Sequence, residues 1–240
     1  MKKILFTIAL VLFAVTAQAK TLIVFYSYTN NVERIVNELR TQIEADVIEV
    51  EPAEKGLDYA ANNYAIGSSQ IAAIRENPND ASSYPAIDPV NVDLSQYSTI
   101  IIGAPLWWSN MAAPMQSFLF QNGKDMADKN IGLIVSSASS GISGVESDAK
   151  RLIPDGKFLS PSLWIRSSQT SNAKSLLQDW LQTTDYNNLT SGIENIKQDN
   201  NRSITVYSLS GVKLLADAES TATLPAGLYI INGKKTIVTR

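Results

Sequence analysis

Thr21-Leu22-Ile23-Val24-Phe25-Tyr26-Ser27-Tyr28-Thr29-Asn30-Asn31-Val32 sets the reading of the whole chain. Thr21 to Ser27 is a near-continuous apolar run, which suits a central parallel strand buried on both faces. After a short polar turn, Val32, Ile35, Val36, Leu39 and Ile43 recur at helical spacing. Glu33, Arg34, Asn37 and Glu38 fall on the opposite face, so the spacing predicts an amphipathic helix.

The same alternation continues outward. Ala45 to Val50 reads as a second strand closed by Pro52. Residues 56 to 75 form a weakly helical stretch, and residues 76 to 96, with Pro78, Pro85 and Pro89, a long loop. Thr99 to Ala104 is a third strand, and Pro114 to Phe120 a helix with proline in its first turn. Asn130 to Ser136 is a fourth strand, Val145 to Leu152 a short helix, and Phe158 to Ile165 a fifth strand. Ala173 to Leu181 is the last helix, with Leu176, Leu177 and Trp180 on its apolar face. Strand–helix alternation over this span predicts an α/β domain, a doubly wound five-stranded parallel sheet with helices on both faces. Ligands of such sheets bind beyond the carboxyl ends of the strands, at the switch point.

Composition narrows the chemistry. The chain has 240 residues with neither Cys nor His, which excludes thiol nucleophiles, imidazole acid–base work and Cys- or His-ligated metals. A formal charge of -3 gives no reason to expect nucleic acid as a partner. Catalysis would fall to carboxylates, hydroxyls, Lys, Arg or a cofactor.

The two ends differ from the middle. Lys2 and Lys3, the apolar run Ile4 to Val15, and Ala17-Gln18-Ala19 read as a secretory signal peptide over residues 1–19. Its removal takes two lysines and no acid, leaving a mature charge of -5 and a periplasmic, cell-surface or secreted protein. Residues 20–183 are then the α/β domain and 184–202 a polar linker. Residues 203–240 are a small β module with runs at Ile204 to Tyr207, Leu228 to Ile231 and Thr236 to Thr239. Asn232-Gly233 between two of these runs is a hairpin signal.

Three segments fall at the strand ends of the α/β domain. The first, Ser27, Tyr28, Thr29, Asn30, Asn31 and Val32, leads into the first helix. Helix N-terminal amides attract a phosphate, and Ser27 and Thr29 add hydroxyls; the same residues also serve as a plain helix cap. The second, Pro105, Leu106, Trp107 and Trp108, offers a stacking wall for a flat ligand, or else cover for the core. In an extended segment the two tryptophans point to opposite sides, so one of them faces the cleft. The third, Ser136 to Gly144, contains Ser137, Ala138, Ser139 and Gly141, small residues that let backbone approach a ligand or simply form a flexible loop.

Taken together, residues 20–183 resemble flavodoxin-like proteins of the small reductase-like branch. That branch carries Y-S-x-T-G-N-T, G-x-P-x-W-W and T-S-G-G-S-G-I. The counterparts here are Tyr26 to Val32, Gly103 to Trp108 and Ser136 to Ile142. The resemblance implies a sheet of order 2-1-3-4-5 and FMN as cofactor, with phosphate on the first segment and the flavin between the other two. The chain departs from the pattern at Asn30 and Val32, where the family has Gly and Thr, and at Ala138 and Ser139, where it has Gly. The tail is similar to C-terminal sorting modules of the type IX secretion system, through Val206 to Lys213, Leu224 to Ile231 and Gly233 to Lys235.

Two functions follow as expectations. One is an exported FMN protein that carries electrons or reduces a small acceptor such as a quinone, with an unknown redox partner and a secretion-machinery contact through residues 203–240. The other is a degenerate flavodoxin-fold module without FMN, serving as a surface binding or structural domain.

Overall fold

The structure, a computed structural model, describes residues 20–138, 141–190, 204–218, 221–231 and 234–239. The expected signal peptide, most of the expected linker, Ser139 and the Asn232-Gly233 turn lie outside the described residues.

The sheet is built on β1 (Lys20–Phe25), which pairs in parallel with β2 (Asp46–Glu49) on one side and β3 (Tyr97–Trp107) on the other. Beyond β3 lies β5 (Asn130–Ser137), also parallel. The fifth position is shared by β6 (Lys157–Phe158) and β7 (Leu163–Arg166), both parallel to β5. Read by position, the order is the expected 2-1-3-4-5. A two-residue strand, β4 (Asn110–Met111), folds back on the end of β3 as an antiparallel hairpin.

Side-chain alternation along the strands makes two cores. Leu22, Val24, Ile100, Ile102, Leu133 and Val135 face one layer. This layer comprises α2 (Ala61–Glu76), α3 (Ala113–Asn122) and α4 (Ser143–Leu152), through Ile71, Phe118 and Val145 among others. Ile23, Phe25, Ile101, Ile134 and Ile165 face the opposite layer of α1 (Asn31–Leu39) and α5 (Ala173–Thr183). That two-sided burial is why the strands read as continuous apolar runs. Gly103 lets α1 sit close: a Cβ there would stand 3.0 Å from both Phe25 Cβ and Val32 Cγ1.

Three differences from the sequence expectation have local causes. The fifth strand is interrupted at Ser160-Pro161-Ser162, because proline has no N–H to give to a ladder. The Trp180 indole N–H donates to the Pro161 carbonyl there, at 2.8 Å. In α2, Asn62, Asn63 and Tyr64 have φ of 50°, 56° and 63°, so a left-handed turn precedes the regular helix. The polar stretch expected as linker from residue 184 begins with α6 (Tyr186–Thr190). Tyr186 is buried with the second core, 2.6 Å from Thr21 Oγ1 through its hydroxyl.

The C-terminal residues form a separate antiparallel sheet of order β11-β10-β8-β9. Its strands are β8 (Ile204–Tyr207), β9 (Lys213–Ala218), β10 (Gly227–Ile231) and β11 (Lys234–Val238). Ile204, Val206, Leu224 and Ile231 are its small core. The edge strand β9 escapes a sequence reading because its Leu-Leu-Ala-Asp-Ala run lacks a β-branched pattern.

Candidate functional site

The turn after β1 is arranged to donate hydrogen bonds outward. Asn30 precedes α1 with φ 59°, in the left-handed region that asparagine tolerates better than most side chains. The Ser27 hydroxyl accepts the Glu33 N–H at 3.2 Å, and the Thr29 hydroxyl accepts the Asn31 side-chain amide at 3.1 Å. Each hydroxyl thus uses an acceptor lone pair on the protein and keeps its proton for another partner. The first intrahelical bond runs from Arg34 N–H to the Asn30 carbonyl at 3.0 Å, so the amides of Asn31 and Val32 lie ahead of the ladder. A helix N-terminus with free amides and two donor hydroxyls suits an anion. Val32 contributes its backbone, while its side chain is buried against Phe25 and Val36.

The second segment is strand up to Trp107. Trp108 and Ser109 are the two central residues of the β3–β4 hairpin, with φ of 46° and 65°. Positive φ at both positions is the geometry of a tight turn whose twist matches its strands. The turn separates the tryptophans. Trp107 is half-buried against Tyr26 and Tyr59, with ring centroids 5.7 Å and 4.8 Å away. Trp108 is 41% exposed and leans on α2, where a Cβ on Gly67 would meet its ring at 2.9 Å. Arg75 donates to the Trp108 carbonyl and, at 2.7 Å, to the Asn110 side-chain oxygen, tying the hairpin to α2.

The third segment begins at buried Ser136 and Ser137. The Trp164 indole N–H donates to the Ser137 hydroxyl at 2.8 Å. The Ser136 hydroxyl is buried and has no hydrogen-bond partner among the described residues. Ala138 is exposed at the edge.

A cleft with a volume of about 130 Å³ brings the three segments together. Ser27, Tyr28, Thr29, Asn31, Val32, Pro105, Leu106, Trp107, Ser137 and Ala138 line it as expected. Asn30, Trp108 and Gly141 are not among its lining residues, and Ser139 lies outside the described residues. Ser136 and Ser167 line it too. The sequence places Ser136 at the end of the fourth strand and the start of the third segment, with no signal that marks it as a site residue. Ser167 was missed because it follows β7, whose end gives no motif to read. Among the described residues no Lys or Arg lines the cleft, so a bound anion would rest on neutral dipoles.

The flavodoxin family profile matches residues 20–184. The chain belongs to the flavodoxin family. No curated protein matches it. Among solved structures, this flavodoxin-family chain shares its fold with a protein from Bacteroides eggerthii described as a candidate flavoprotein. The two are 20% identical with a TM-score of 0.56, over 70% of this chain and 98% of that one. A similarly described Bacteroides uniformis protein is 22% identical with a TM-score of 0.54, over 67% and 98%. A Lactobacillus acidophilus flavoprotein, solved in complex with FMN, is 23% identical with a TM-score of 0.50, over 65% and 99%.

Proposed function

We propose that this flavodoxin-family protein binds FMN, is exported, and transfers electrons or reduces a small acceptor such as a quinone. The observation that carries the reading is the convergence of the three strand-end segments on one cleft. There, among the described residues, the buried Ser136 hydroxyl has no protein partner and the Ser27 and Thr29 hydroxyl protons are unspent. A buried hydroxyl without a partner costs free energy that a polar ligand would recover. The residues fit the cofactor at the level of donor chemistry. Ser27, Thr29 and the amides from Thr29 to Val32 would hold the phosphate, Trp107 would supply an apolar wall, and Ser136 and Ser137 polar contacts. FMN, when bound, supplies the redox chemistry, and the protein supplies binding, orientation and a field. The enclosed volume is small beside the roughly 300 Å³ at which ligand pockets begin, so a flavin would lie partly in the open mouth.

Titration of FMN with the purified protein, followed by quenching of flavin fluorescence, tests this. Saturable quenching and blue absorbance of the complex are expected; a colourless protein with no quenching supports the degenerate module instead. Val32→Thr adds a hydroxyl beside the phosphate position. It is expected to tighten FMN by up to about tenfold while lowering stability by roughly 1 kcal/mol, since the residue also packs in the core.

Export is part of the same proposal and rests on the residue 1–19 pattern. N-terminal sequencing of the mature protein should begin at Lys20. The sorting role of residues 203–240 predicts that a chain lacking them keeps its first domain folded and fails to reach the cell surface.

A further inference from the structure

Beside the cleft lies a second pocket of about 190 Å³, which shares Ser27 and Tyr28 as walls. Its floor is aromatic. Tyr26 and Tyr59 are 4% and 3% exposed, and both line it. Its rim is acidic, carrying Glu49, Glu51 and Glu54. Lys55, the only cation lining it among the described residues, is already committed. Its amine lies 2.6 Å from a Glu51 carboxylate oxygen and 2.7 Å from one of Asp88. Among the described residues, Glu49 and Glu54 have no ion-pair partner.

The Tyr26 hydroxyl makes no hydrogen bond among the described residues, though its side chain is almost wholly buried. Tyr28, Tyr59, Glu49 and Glu51 line the pocket together with Tyr26. Burial pushes its titration far above the ordinary phenol range, so it stays a neutral donor and acceptor. Burial first, and then the charges of Glu33 and Glu51, hold the Glu49 carboxyl above its usual range. With three glutamates and one lysine in its lining, the pocket mouth carries net negative charge and favours a cation. The carboxylates are too dispersed for a metal: no three acidic side chains among the described residues converge into a metal-binding group. A ring-lined floor with dispersed carboxylates matches an organic cation, whose charge is larger and softer.

We propose that this pocket binds a primary alkylammonium ion, the N–H groups reaching Tyr26 Oη and Glu49 and the alkyl chain lying on the Tyr28 and Tyr59 rings. The ammonium suits the site better than a quaternary ion because the Tyr26 hydroxyl oxygen can accept an N–H, which a quaternary ion lacks. The pocket shares Ser27 and Tyr28 with the flavin cleft, while its charged groups lie outside that cleft.

Isothermal titration of the purified protein with n-butylammonium chloride at low salt tests it. Saturable binding is expected below about 50 mM, a modest affinity for so small a ligand. Tyr26→Phe should weaken binding about fivefold through one lost neutral hydrogen bond, and Glu49→Gln at least threefold through a lost partly exposed charge. Thermal melts of both variants check that the fold persists; Tyr26→Phe removes only an unpartnered oxygen. Tetramethylammonium, with no N–H, should bind more weakly than butylammonium. A parallel titration with N-acetyl-lysine methylamide separates the sources: binding equal to butylammonium marks a pocket for a protein's lysine side chain, weaker binding a pocket for a free amine. No saturable binding of butylammonium, equal affinity for tetramethylammonium, or wild-type affinity in both variants overturns the proposal.

Discussion

At Asn30 the chain turns from strand to helix with φ 59°, a value that most side chains reach only at a cost. Asparagine stands here in place of the family's glycine and preserves the turn because its short amide side chain is tolerated in the left-handed region. Asn30→Ala is therefore expected to lose about 1 kcal/mol of stability, and Asn30→Gly to lose little or none, as measured by urea denaturation. Trp107 and Trp108 are neighbours in sequence with separate environments. Only Trp107 lines the cleft, so Trp107→Ala should weaken FMN by roughly tenfold, the scale of one aromatic contact and its buried area. Trp108→Ala should leave the FMN affinity within about twofold in the same fluorescence titration.

The element that presents Trp107 is the β3–β4 hairpin, and its anchor is Asp148 on α4. That buried carboxylate accepts the Met111 N–H and the Asn110 side-chain amide, both at 2.9 Å. Arg151 lies 3.3 Å away and also donates to Gln116 Oε1 at 2.8 Å and to the Tyr84 hydroxyl at 2.9 Å. The network joins α4, α3 and the hairpin. Asp148→Ala would leave two donors and a half-buried guanidinium without their acceptor, an expected loss of about 2–3 kcal/mol in denaturant unfolding. FMN affinity should fall with it, because the wall carrying Trp107 loses its tether. The α4 N-terminus adds a steric limit at Gly144, where a Cβ would stand 1.7 Å from the Ser109 carbonyl oxygen.

At the scale of the molecule, the α/β domain closes with α6. Tyr186 fills the second core and is 2.6 Å from the Thr21 hydroxyl on the opposite end of the domain's sequence. A chain ending at Thr190 is expected to unfold at the denaturant midpoint of the full chain's first transition. A chain ending at Thr183 loses a buried aromatic and should be less stable by about 2–3 kcal/mol. Equilibrium unfolding of the two truncations separates these outcomes.

The layered α/β fold was legible in the residues because burial on both faces writes uninterrupted apolar runs at β1, β3 and β5, and burial on one face writes the 3.6-residue period of α1 and α5. The first site segment was legible for the same reason: a strand, a polar turn and a helix together specify a set of free amides. Other features depend on contacts between residues far apart in sequence, which no local pattern encodes. Trp107 and Trp108 look alike until the turn sends one to the cleft and the other to Gly67. Ser136 reads as an ordinary strand-end serine until the packing of β3 and β5 buries its hydroxyl without a partner among the described residues. Tyr186 reads as linker until Thr21, 165 positions away, supplies its hydrogen-bond partner. Local sequence carries backbone preference and burial period, while only the assembled sheet decides which polar atoms are left unpaired and which side chains share a cavity.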